Sequence, residues 1–421
     1  MMNSTLSTKP LRTVFIHSLL FSVPFLLLIT NSGSGLASLV LLAVGLWCWP
    51  AGWAALRPQL GQVRGLLLAF GLNLALMLGA YLLDHEVRLR DLEKPVRMLA
   101  AASAMLTVLA LRPRRKALWW GLIAGTVAGA VFIGYQRWGL HMERPGGLIN
   151  AITFGDLSLC MGMLCLAASL DFTGRSALWP ALGALAGLVG SVATGTRGGW
   201  VAIVLAVILF ARYGRVLAGR VHKGVGWLAL ALFISTYFIP QTGARERVEQ
   251  GIADVQQYLA GGASNANTNV GVRLELWRGG ALLVTRHPWL GASVAQVKRE
   301  KQELVAQGVL PDFVMLYDHF HNDALHATVF GGVAGLLAWA GTLLMPFLFF
   351  RRCLQRSRQG QPALAAPALA GMLLVLSYFS FGLTEVIFWT GHAAVFYAVM
   401  VFLLAGLCLN AAPATAPGRP L

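Results

Sequence analysis

Residues 318–350 read DHFHNDALHATVFGGVAGLLAWAGTLLMPFLFF, and the reading of this stretch decides the rest. Asp318 to His326 is the densest cluster of titratable and amide side chains in the chain, whereas Ala327 to Phe350 holds no charged residue. An apolar run of about 20 residues crosses the hydrocarbon core of a bilayer as a helix. The titratable cluster then stands at the water-facing mouth of that helix. Comparable runs recur along the 421 residues, of which 57% are hydrophobic and only 12% charged. A soluble domain carries about 25% charged residues. In lipid every backbone group must find a partner within its own segment or barrel. The sequence therefore predicts an all-α, polytopic membrane protein.

About twelve spans are expected, near 13–30, 35–56, 65–83, 96–111, 117–136, 151–170, 177–194, 198–211, 224–240, 327–350, 364–383 and 389–409. The chain divides accordingly into spans 1–9 (1–240), a polar loop that carries the site residues (241–325), spans 10–12 (326–410) and a disordered Ala/Pro-rich tail (411–421). Lys9 and Arg12 precede the first apolar run with no small-residue cleavage site after it, so that run reads as an uncleaved span.

Orientation follows from the loop charges. With the N-terminus in the cytoplasm, the cytoplasmic segments hold 18 of the 33 Lys and Arg residues and one of the 17 acids, Asp171. Both termini are then cytoplasmic and the 241–325 loop lies outside. The net charge of +16 is thus a topology signal and calls for no nucleic-acid partner. The five cysteines all avoid the long loop, so disulfides are not expected.

Gly121/Gly125/Gly129, Gly183/Gly187 and Gly331/Gly335 stand four apart, a spacing that lets helices approach closely in lipid. Val248, Ile252, Val255 and Leu259 form one apolar stripe, and Val294, Val297, Leu304 and Val305 a weaker one. The outer loop therefore reads as partly helical, its short helices resting on the membrane face.

Ionisable groups at membrane depth are the default functional candidates. Arg197, in Thr-Arg-Gly-Gly-Trp (196–200), can fork onto a phosphate where flanking glycines let backbone approach closely; interfacial snorkelling is the plain alternative. Arg273 shares a helix face with Trp277 if 270–283 is helical. Arg286 and Arg144 are further external arginines, and all three read equally as ordinary loop charges. Asp156 and Glu385 are expected to hold arginines in place. His321 is a proton acceptor near neutrality with His319, Asn322 and Asp323 beside it. Asp318 is expected to cap the following helix, leaving His319 and His321 in an anion-attracting first turn. A metal site is not expected, because His321 and His326 are five apart and no cysteine is near. P-loop, HExxH, Asp-x-Asp and GxSxG patterns are absent, which disfavours chemistry on a cytoplasmic nucleotide.

Four motifs carry a resemblance: Thr-Arg-Gly-Gly-Trp (196–200), Arg-Leu-Glu-Leu-Trp (273–277), His-Pro-Trp-Leu-Gly (287–291) and His-Asn-Asp-Ala-Leu (321–325) before a Gly-rich span. Their order and placement resemble the O-antigen ligase and polymerase superfamily of the Gram-negative inner membrane, and length and span count resemble the ligases most. The resemblance implies a donor glycan on undecaprenyl diphosphate and a sugar hydroxyl of lipid A-core as acceptor. It implies His321 as general base, with Arg197, Arg273 and, more weakly, Arg286 on the diphosphate. His319 and Asn322 would orient donor or base, and direct inverting displacement would need no metal or other cofactor. An O-antigen polymerase or a protein O-oligosaccharyltransferase would share this chemistry. A flippase of lipid-linked sugars would instead show charges spread through several spans and an inverted repeat, and the polar weight here is piled on one side.

Overall fold

The computed structural model describes residues 8–83, 89–196, 198–213, 244–262 and 266–411, with positions 231, 234 and 238. It is all-α, with no strand among the described residues. The helices are α1 (Thr8–Phe25), α2 (Gly33–Trp47), α3 (Trp49–Leu56), α4 (Leu60–Leu83), α5 (Glu93–Ala100), α6 (Ala102–Leu111), α7 (Lys116–Gly134) and α8 (Ala151–Ala168). They continue as α9 (Leu178–Ala193), α10 (Val201–Tyr213), α11 (Ala244–Gly261), α12 (Asn269–Arg286), α13 (Val294–Ala306), α14 (Asp323–Ser357), α15 (Ala365–Gly382) and α16 (Gly391–Ala411). Among the described residues, eight helical stretches are long and apolar enough to cross a membrane, and three shorter apolar helices accompany them. Together they stand at eleven of the twelve expected positions. The ninth, 224–240, falls almost wholly outside the described residues, as does the tail from 412.

Close packing in lipid depends on small residues rather than on a hydrophobic drive between helices. A side chain at Gly121 would strike the Phe21 backbone, and one at Gly125 the backbone of Pro24 and Phe25, so these glycines seat α7 on α1. Gly187 meets Gly162 and the Ser158 carbonyl, seating α9 on α8. The second expected span bends at Cys48, where α2 gives way to α3 with Pro50 in its first turn. The most buried helices are α8, α15 and α16. The connection from α15 to α16 therefore emerges at the centre of the bundle.

Gly331 and Gly335 do not seat a neighbouring helix, contrary to the expectation from their spacing. A Cβ on Gly331 meets nothing, and one on Gly335 meets only Ala327 of its own helix. The reason is a break in α14 at Gly332 (φ 57°, ψ −153°). The 288–292 turn enters this break and satisfies the freed backbone groups: Val333 N–H donates to the Pro288 carbonyl (2.8 Å) and Ala292 N–H to that of Val329 (2.9 Å). Gly291 lies against the backbone of Phe330 and Gly331, where no side chain fits.

The described part of the 241–325 segment is helical where expected. Asn269–Arg286 is one helix, which puts Arg273 and Trp277 on a common face, and α13 buries Val297 and Leu304 beneath it. The stripe of α11 stays exposed.

Candidate active site

Two connections meet at the centre of the bundle: residues 317–322 leading into α14, and 383–390 joining α15 to α16. The α14 cap is Asn322, whose side chain accepts from the Leu325 N–H at 2.8 Å. Its amide also donates across to the Leu383 carbonyl (3.1 Å), tying the two connections together. Asp318 is not the cap; it is exposed and four residues too early. His319 and His321 consequently precede the helix rather than sit in its first turn. Lys301, only 7% exposed, donates to the Tyr317 carbonyl (2.7 Å) and pins the start of this segment.

His321 adopts φ 47°. The left-handed region costs a non-glycine residue roughly 1–2 kcal/mol, and such outliers cluster at functional sites. In this conformation His321 Nδ1 stands 3.0 Å from Glu385 Oε2. His319 Nδ1 is 3.8 Å from Oε1 of the same carboxylate, and the two imidazoles meet edge to face at 4.4 Å. Burial raises the Glu385 pKa, but the hydrogen bond and charge of His321, with the charge of His319, outweigh it and hold the carboxyl below its ordinary value. An ionised carboxylate can only accept, so Nδ1 of His321 carries the hydrogen, and in the neutral ring Nε2 keeps the free lone pair. Burial lowers the His319 pKa despite Glu385, which keeps its ring neutral near pH 7.

The half-buried Arg273 of α12 feels the charge of this carboxylate. Burial lowers its pKa most; Glu385 and Asp156 oppose that, while Arg144 adds to it. Arg273 makes no hydrogen bond or ion pair among the described residues, so its fork of donors is available to a ligand. Asp156 and Glu385 thus do stand near an arginine, as expected, but Glu385 also binds a histidine. Arg286 belongs to another cluster: it pairs with Glu300 (3.2 Å) and Glu303 (3.9 Å) of α13, and His287 Nε2 lies 2.6 Å from Glu300. Arg197 lies outside the described residues. The glycines after it are described: a side chain on Gly198 would strike Thr384, and one on Gly199 would strike Asp156 and Phe381. The backbone of this motif therefore rests beside the residue preceding Glu385.

The contribution of Glu385 was missed by sequence reasoning, though a signal existed. It is the single charged residue between Arg358 and Arg419. Asp323, 3% exposed with Oδ2 unpaired, packs under the same connection against Gly382. One ligand atom each from His319, His321 and Glu385 lies within 4.8 Å of the others. Two imidazoles and a carboxylate so arranged could hold a divalent ion.

Residues 182–340, which include both histidines and Arg273, match the family described as "O-Antigen ligase". That segment is similar to an O-antigen ligase domain. An uncharacterized protein of Haemophilus influenzae is similar, at 21% identity over 346 residues that cover 80% of this chain and 85% of the relative. The matched segment supports kinship with the O-antigen ligase and polymerase superfamily. Glu385 lies beyond the matched residues, and the geometry alone brings it to the domain's histidines.

Proposed function

We propose that this protein transfers O-antigen polysaccharide from undecaprenyl diphosphate to a sugar hydroxyl of lipid A-core, at the periplasmic face of a bacterial inner membrane. The observation that carries the reading is the 3.0 Å contact between His321 Nδ1 and Glu385 Oε2, with Arg273, which has no partner among the described residues, within electrostatic reach of the same carboxylate. A pyrophosphate is already a good leaving group. The protein must supply a base for the acceptor and positive charge for the departing anion.

His321 Nε2 takes the proton of the acceptor hydroxyl as its oxygen attacks the anomeric carbon. The bond from that carbon to the diphosphate oxygen breaks, and the electron pair leaves with the diphosphate. Glu385 holds the required tautomer and stabilises the imidazolium that forms, the part a buried carboxylate plays behind a catalytic histidine. Arg273 and Arg197 receive the growing charge on the diphosphate, while Arg286 is held apart by Glu300 and Glu303. His319 and Asn322 shape the approach to the base. One displacement inverts the anomeric centre, and no step calls for a metal or nucleotide.

Silver-stained lipopolysaccharide from a deletion strain tests the acceptor. A ligase predicts core without any attached polymer, with polymer accumulating on the polyprenyl carrier. Core bearing one repeat unit would instead make the protein an O-antigen polymerase.

A further inference from the structure

We infer that Lys94 is a positioning residue of this site, fixing the 385–390 connection and through it the Glu385 carboxylate against His321. Lys94 stands in the first turn of α5, remote in sequence from both connections and outside the matched domain. Its ammonium donates to the Phe388 carbonyl at 2.9 Å and to the Trp389 carbonyl at 3.3 Å, and stands 5.9 Å from the centre of the Trp389 ring. The buried Asp323 packs under the same connection, against Gly382. A cation therefore holds two carbonyls of the connection from the α5 side.

The physical need is plain. A short link between two buried helices, here a single 3-10 turn over Ile387–Trp389, leaves carbonyls that α-helical bonding no longer satisfies, and each such group left unpaired away from water is costly. An ammonium offers three donors from one atom. Burying that charge is itself costly, so its placement on carbonyls three and four residues beyond Glu385 is informative. Trp389, held by Lys94, packs against His319 (5.7 Å) and His326 (5.4 Å). The lysine thus fixes the acid and one wall of the histidine pocket together. Lys301 does the corresponding work on the histidine side through the Tyr317 carbonyl.

This inference rests on His321 as the base and predicts coupling to Glu385. Lys94→Met, Lys94→Arg, Glu385→Gln and the Lys94→Met/Glu385→Gln double variant are compared as purified full-length proteins with lipid-linked donor and lipid A-core. Lys94→Met should lower kcat on the order of 10²-fold, the effect of a misplaced catalytic group, with donor KM little changed. Lys94→Arg, which keeps charge and donors, should restore most of that loss. In the Glu385→Gln background Lys94→Met should cost less than about threefold more, since residues acting through one contact are not additive. Wild-type turnover in Lys94→Met, or the same fold-loss in both backgrounds, overturns the inference. If Lys94→Met fails to accumulate, Lys94→Gln, which keeps an N–H donor, is read by the same criteria. A dead His321→Ala beside an unaffected Lys94→Met refutes this inference alone; an active His321→Ala refutes the base and this inference with it.

Discussion

Replacing Glu385 by Gln keeps the side chain's shape and removes its charge. The carboxylate lies 3.0 Å from His321 Nδ1. A hydrogen bond to a charged group contributes roughly 1.5–3 kcal/mol. In the transition state the imidazole also becomes a cation, and two unit charges 3 Å apart at an effective dielectric of 20 attract by about 5 kcal/mol as an upper bound. A realised loss of about 3–4 kcal/mol lies between these limits and corresponds to two to three powers of ten in kcat. Donor affinity should respond differently. Glu385 is the largest favourable charge on Arg273, so its neutralisation leaves that guanidinium more available to the diphosphate, and donor KM should stay level or fall. The assay is transfer of labelled lipid-linked polysaccharide to lipid A-core by the purified variant, with kcat and KM measured separately. A kcat within about tenfold of wild type, which is no more than 1.4 kcal/mol, would refute the assigned role. So would a loss carried wholly by KM.

Arg273→Lys should raise donor KM and lower kcat by roughly tenfold or more, because a point charge cannot fork onto two phosphate oxygens; unchanged kinetics in a titration of donor would remove Arg273 from the diphosphate. Chelation by EDTA should leave turnover unchanged; activity that disappears and returns with an added divalent ion would assign the His319, His321 and Glu385 donor set to a metal. Burial raises the Glu300 pKa, but its hydrogen bonds from His287, Arg286 and Gln296 outweigh this and depress it in the folded protein. Its contribution to stability is therefore complete above the ordinary Glu value of about 4.3 and is lost as pH falls through the lower folded value. Hydrogen-exchange protection of α13 should hold down to that range and weaken below it, and Glu300→Gln should flatten the dependence. Loss of protection already near pH 6 would contradict the assignment.

Much of the architecture was legible because its cause is local. Apolar runs long enough to cross lipid and the stripes of α11 and α13 are properties of short windows. The helix over Arg273 and Trp277 belongs to the same class. What was hidden depends on distant segments. The cap moved from Asp318 to Asn322 because the Asn322 side chain also bonds Leu383, sixty-one residues away. Gly331 and Gly335 looked like a packing face because nothing in their spacing reveals that the 288–292 turn opens the helix at Gly332. The site divides in the same way. Its histidines and Arg273 announce themselves by composition and motif, whereas Glu385 and Lys94 acquire their parts only through contacts 64 and 294 residues long.

The central claim is that the imidazole of His321 takes the proton of the acceptor hydroxyl. Single-turnover transfer by purified His321→Ala, with donor binding measured on the same preparation, tests it most directly. The expected outcome is bound donor with transfer reduced by roughly 10²- to 10⁴-fold, the range general-base catalysis supplies. Transfer at the wild-type rate with normal donor binding would contradict it.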